Sequence, residues 1–263
     1  MVDPRRTEMG GQADRIQETR WSQLFLAREG DTAERQAAMG AITQQYWKPV
    51  YCFFRRKGFD NETAKDLTQG FFTDVILGRR LIEKADPGRG RFRSLLLTAA
   101  SNYVNDHRRK QVAASRNPDK GLVSLEGVDA ARFVESSATE TPEAEFHRAW
   151  ASTLLGDVLR EVEDNCRRGG QTTHWEVFRG RVFLPIADGS KPEPYAKLCA
   201  RLHIQSADRA TTMNVTVKRK FETALRRHVR RLVDCDEQVD EEIRDLMNIL
   251  SGSSPQSGRR SRI

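Results

Sequence analysis

Apolar side chains in this chain recur at three- and four-residue steps, and no long stretch alternates apolar with polar residues. That spacing gives a helix one apolar face, whereas a half-buried strand needs a period of two. Ala38, Ile42 and Tyr46 are spaced this way, as are Ala64, Leu67, Phe71 and Val75, and Phe146, Trp150, Leu154, Val158 and Val162. The pattern predicts an all-α chain.

The breaks in the pattern place the elements. Trp21, Leu24, Phe25 and Arg28 form a short amphipathic set, closed by Gly30. Asp31 or Thr32 can cap the next helix, which carries Ala38 to Trp47 and meets Pro49 in or beside its continuation. Gly58 ends that segment, and Asp60 or Asn61 caps a third helix that closes at Gly78. The loop Asp86-Pro87-Gly88-Arg89-Gly90-Arg91 leads to a fourth helix, expected from about Phe92 to Gln111 with Phe92, Leu95, Leu96, Ala99 and Tyr103 inward. Periodicity then fails until about Pro142. Beyond it come helices around Phe146 to Val162 and Trp175 to Phe183, and a short one from Tyr195 to Leu202. A turn from His203 to Arg209 precedes a long basic helix to about Val233, whose inner face steps through Met213, Val217, Phe221 and Leu225. Val239 to Leu250 is a last, acidic helix. The layout predicts a disordered extension over 1–19, helical units over 20–112 and 145–235 joined by a flexible linker over 113–144, and an acidic helix with a disordered tail over 236–263.

Charge narrows the function classes. A net charge of +7 suits an anionic partner, and its placement says more than its total. No apolar run reaches the roughly 18 residues of a membrane span, and Met1 to Arg20 lack the apolar core of a signal peptide, so a cytoplasmic protein without membrane insertion is expected. Cys52, Cys166, Cys199 and Cys235 form no CxxC pair, so reduced thiols are expected rather than disulfides or zinc. The five histidines have no metal-ligand spacing, and the chain has no phosphate-binding Gly-Lys-Ser/Thr loop, His-Glu-x-x-His or Gly-x-Ser-x-Gly elbow. A non-enzyme without metal or cofactor is expected.

Three segments carry chemistry. On the third helix Asp66, Gln69 and Thr73 share a face, either simply solvated or a dock for a basic helical partner. On the loop and fourth helix, Arg89, Arg91, Arg93, Arg108, Arg109 and Lys110 surround Asn102, Asn105 and Asp106. Cations neutralise phosphates, and amides can pair with base edges. Near the C-terminus, short helix, turn and basic helix follow the order of a helix-turn-helix, with Thr211, Thr212, Asn214, Thr216, Lys218, Arg219 and Lys220 in the first half of the second helix. The acidic helix Val239 to Leu250 either caps the second unit or shields the basic helix.

The run Asp66-Leu67-Thr68-Gln69-Gly70-Phe71-Phe72, followed by Arg91 to Lys110, resembles the promoter-melting domain of bacterial sigma-70 family initiation factors, extracytoplasmic-function group. Residues 145–235 resemble that family's minus-thirty-five domain more weakly, because the usual turn is shorter than His203 to Arg209. The resemblance implies a polymerase specificity subunit that binds the clamp of core RNA polymerase through Asp66, Leu67, Gln69, Phe72 and Thr73. It implies minus-ten recognition and melting through the loop and fourth helix, and minus-thirty-five recognition and flap contact through the basic helix. Control in this group is by an anti-sigma factor, a tail or phosphorylation. A helix-turn-helix regulator outside the holoenzyme would explain the second unit but leave the Asp66 to Phe72 run without purpose. A purely structural adaptor would need all the basic faces to be solvated only.

Overall fold

The computed structural model describes residues 20–78, 81–86, 90–115, 141–233 and 235–251, and its regular elements are all helical. The expected disordered extension and tail, most of the linker and Arg89 lie outside the described residues.

Helix α1 (Arg20–Glu29) leads to α2 (Thr32–Arg56). Asp31 starts α2 with a capping box: its carboxylate accepts the Ala33 and Glu34 N–H groups at 2.9 Å, and Glu34 accepts the Asp31 N–H at 3.1 Å. Pro49 lies inside α2, buried, where its missing N–H costs the helix one bond and core packing holds the chain in line. Gly58 reverses the backbone at φ 95°, and Asp60 caps α3 (Asn61–Phe71). The chain continues as a π-helical turn, Phe72–Leu77, where regular α-helix was expected. Helix α4 runs Phe92–Ser115, one turn beyond its expected end.

Thr141 caps α5 (Pro142–Arg168), with Pro142 at its start where a missing N–H costs nothing. Helix α6 (Thr172–Phe178), a second π-helical turn (Arg179–Phe183) and α7 (Leu184–Asp188) follow. Pro185, in the first turn of α7, supplies no N–H to the turn before it. Helix α8 (Tyr195–Leu202), α9 (Ala207–Arg230) and α10 (Val239–Leu250) complete the chain.

Expected as separately packed units, the two helical segments instead share one core. Helix α5 packs against α2, and Phe146, Trp150 and Leu154 are buried in one cluster with Tyr46, Val50, Phe53 and Leu96. The late part of α9 (Ala224, Leu225, Val229) and α10 (Val239, Leu246, Ile249) join that cluster. Lys57, after α2, pairs with Glu143 of α5 at 3.1 Å. The apolar faces of α2 and α5 are buried against each other in that cluster. A smaller second cluster of Val177, Leu198, Ile204, Ala210 and Met213 lies under the α8–α9 turn. No described helix is long and apolar enough to cross a membrane.

Candidate nucleic-acid interface

Helix α3 is anchored by Asp60, whose carboxylate accepts the Thr63 hydroxyl at 2.6 Å and the Thr63 N–H at 3.0 Å; these bonds hold it below the usual carboxylate range. Asp66, Gln69 and Thr73 are exposed on this helix and the turn after it. Leu67 and Phe72, which the resemblance puts in the docking set, are core residues instead. Phe72 stacks on Trp47 at 5.6 Å, so these two side chains shape the face from beneath. Gly70 sits under the Tyr103 side chain of α4: a Cβ there would lie 2.5 Å from the phenol oxygen, so a larger residue would push that hydroxyl aside.

Between the π-helical turn and α4 lies an open cleft of about 860 Å³. Its floor is apolar, with Leu95 and Ala99, and its walls carry Asp74, Asn102 and Asp106. Tyr103 donates to Asp74 at 3.3 Å; burial, then the Asp74 charge, push the phenol above its ordinary range. Lys84 and Lys110 stand at the cleft. A nucleobase fits this chemistry: an apolar floor for its face, carboxylates for amino groups, an amide for either edge and ammonium groups for phosphate. Sequence reasoning missed Asp74 and Lys84 and assigned Tyr103 to the core, because the cleft exists only where two helices meet.

The other α4 candidates divide. Asn105, Asp106, Arg108, Arg109 and Lys110 are exposed along with Asn102. Arg109 pairs with Asp106 at 3.3 Å, an exposed contact worth little. Arg108 donates to the Lys57 carbonyl at 2.9 Å and lies 5.4 Å from the Phe59 ring, so it fastens α4 to the end of α2.

Arg91 and Arg93 were expected to face nucleic acid and instead face α10. The Arg91 Nε lies 2.9 Å from Glu242, its terminal nitrogens reach Asp245 and, at 3.7 Å, Glu241. Arg93 pairs with Glu242, lies 3.8 Å from Asp245, and stacks at 4.3 Å over Trp150 of α5. Arg93 is only 6% exposed and Glu242 1%. Burial, with the neighbouring Arg91 charge, pulls the Arg93 guanidinium down to about 10, opposed by Tyr46 and Asp245.

His147 on α5 lies close to the same cations. Burial first, then the Arg93 and Arg91 charges, pull its imidazole down to about 4, while Glu143 opposes them. The folded chain therefore binds fewer protons than the unfolded chain between about 4 and the ordinary 6.5. Stability is complete above that upper value and falls as pH drops through the window. His147→Gln, which cannot titrate, is expected to lose about 2 kcal/mol less than wild type between pH 7 and pH 4, after discounting for solvent near the ring. Urea unfolding of both proteins across this range checks it, and parallel curves would exclude the ring as the cause.

In the third segment α8 ends at Leu202, His203 takes the left-handed conformation at φ 53°, and Ser206 caps α9 by accepting the Arg209 N–H at 3.2 Å. The connection is therefore shorter than the seven residues expected, because α9 begins at Ala207 rather than after Arg209. Thr211, Thr212, Lys218 and Arg219 are exposed, and the missed Val215 joins them on that face at 40% exposure. Thr216 and Lys220 are half-buried, and Lys220 bonds Gln171. Asn214, expected to read bases, is a core residue at 6% exposure that donates to the Tyr195 phenol at 3.2 Å. Arg181 covers the other side of Tyr195 at 4.3 Å from its ring, so this network holds α8 on α9.

Set against protein-family models, curated proteins and solved structures, the chain has no match in any of the three.

Proposed function

We propose that this chain is a cytoplasmic promoter-specificity subunit of bacterial RNA polymerase, of the sigma-70 family and its extracytoplasmic-function group. The observation that carries the reading is the adjacency of two surfaces. Asp66 and Gln69 are exposed on α3, and that helix runs directly into the π-helical turn whose Thr73 and Asp74 line the cleft opposite Asn102 and Asp106. A factor that docks on polymerase and holds an unpaired strand needs these two surfaces side by side.

In this reading Asp66, Gln69 and Thr73 meet a basic helical element of the clamp, and Leu67 and Phe72 fix the curvature of the face. The cleft takes a base unstacked from the minus-ten region, and Lys110 and Arg109 neutralise the strand, joined by Arg91 and Arg93 when these are released from α10. Unstacking costs about a few kcal/mol, offset by the cleft and the phosphate contacts. No bond is broken: binding the open strand shifts the melting equilibrium. The α9 face of Thr211, Thr212, Val215, Lys218 and Arg219 enters upstream duplex, where Val215 suits a thymine methyl group. In the holoenzyme the two helical segments act as separate domains, which requires the shared core to open.

The test is core polymerase binding by wild type and Gln69→Arg. A cation on an exposed face meant for a basic partner should weaken binding by about a hundredfold. If neither protein binds core polymerase while wild type binds duplex DNA, the chain is a helix-turn-helix regulator instead.

A further inference from the structure

Helix α10 turns two of its acids, Glu242 and Asp245, inward, while Asp240 and Glu241 are exposed. Val239, Leu246 and Ile249 enter the shared core, and Glu242 lies in the same buried stripe. Asp245, one turn on, is half-buried beside it. Neither Glu242 oxygen accepts a well-aligned N–H, although two guanidinium groups approach it. Removing these charges from water costs as much as their attraction returns, so an apolar residue at this position would cap the core at least as well. What the charges add is a choice of partner. A guanidinium grips carboxylate and phosphate with the same planar fork. Both described arginines at the start of α4 lie against Glu242 and Asp245, and α5 covers Arg93 through Trp150. They reach a phosphate backbone only if α10 leaves. The cleft of Asn102 and Asp106 stays open meanwhile, so one part of the strand-binding surface is exposed and the other is occupied. Helix α10 meets the basic helix late, with Arg226 paired to Asp240 at 2.7 Å, beyond the stretch from Thr211 to Lys220.

We propose that α10 is an internal competitor for the nucleic-acid backbone: its Glu242 and Asp245 carboxylates occupy Arg91 and Arg93 and hold the chain closed until a phosphodiester strand displaces them. This rests on the reading that the start of α4 binds DNA.

The experiment uses the full chain and a fluorescein-labelled, mixed-sequence single-stranded DNA, with binding followed by anisotropy at several salt concentrations. The near-isosteric pair Glu242→Gln and Asp245→Asn should bind the strand about tenfold tighter than wild type, because the closed state no longer withholds two arginines. Asp157→Asn with Asp164→Asn on α5 removes the same charge away from the clasp and should change affinity by less than about twofold. Glu241→Gln, at an exposed position that does not endanger folding, should tighten binding by a smaller factor. Amide exchange of α10 reports whether the clasp has opened. An opened clasp with unchanged affinity overturns the inference, as does an equal gain in the α5 control, and both leave the DNA reading standing. If no protein binds the strand even at low salt with α10 released, the DNA reading falls and takes the inference with it.

Discussion

Trp150→Ala should cost about 4 kcal/mol. Trp150 is 1% exposed and its indole N–H has no partner, so the loss is packing and cavity rather than a hydrogen bond. A cost of that size is a large fraction of the roughly 5–15 kcal/mol that holds a domain folded. Urea unfolding followed by circular dichroism measures it. Trp47→Ala, at a side chain 37% exposed and stacked on Phe72, should cost about 1 kcal/mol and serves as the contrast. The pattern of the damage matters as much as its size. Because α2 and α5 share a core, amides of α2 and α9 should lose exchange protection together. Protection lost only from residue 141 onward would mean that the two segments fold independently and merely touch.

The helices were legible because caps and apolar steps carry their own physical signals. Asp31 and Asp60 cap where expected, and α10 runs from Val239 to Leu250 as its pattern predicts. The site was less legible, for one recurring reason. Arg93 lies seven residues before buried Ala100, Asn214 lies between Ala210 and Val217, and Glu242 lies between Val239 and Leu246, each in step with a buried stripe. Position on the helix placed all three inside, while residue type suggested a surface role. Leu67 and Phe72 reverse the case: their own stripe marked them as core, and the family motif drew them to the docking face. Helical step outranks side-chain polarity where a partner waits on the neighbouring helix, as Tyr195 does for Asn214 and Arg93 does for Glu242. The cleft and the shared core arise from contacts between helices distant in sequence, and periodicity within one helix carries no information about them.

Breaking the Arg93 and Glu242 pair from one side should be severe, and replacing it whole should not. Glu242→Ala leaves a buried guanidinium against Trp150 with Asp245 as its remaining carboxylate, 3.8 Å away. Loss of one partner from such a pair costs about 3–5 kcal/mol. Arg93→Met should cost less, since Arg91 still faces Glu242 at 2.9 Å. The double replacement Arg93→Met with Glu242→Leu should return to within about 1 kcal/mol of wild type, or exceed it, giving a coupling energy of about 3 kcal/mol in the cycle. The restored protein should nonetheless bind single-stranded DNA worse than wild type, because an apolar contact offers phosphate nothing to compete for. Stability and strand binding would then move in opposite directions, which a purely structural ion pair does not produce. Additive losses in the double variant, with strand binding unchanged, would show that the pair serves the core alone.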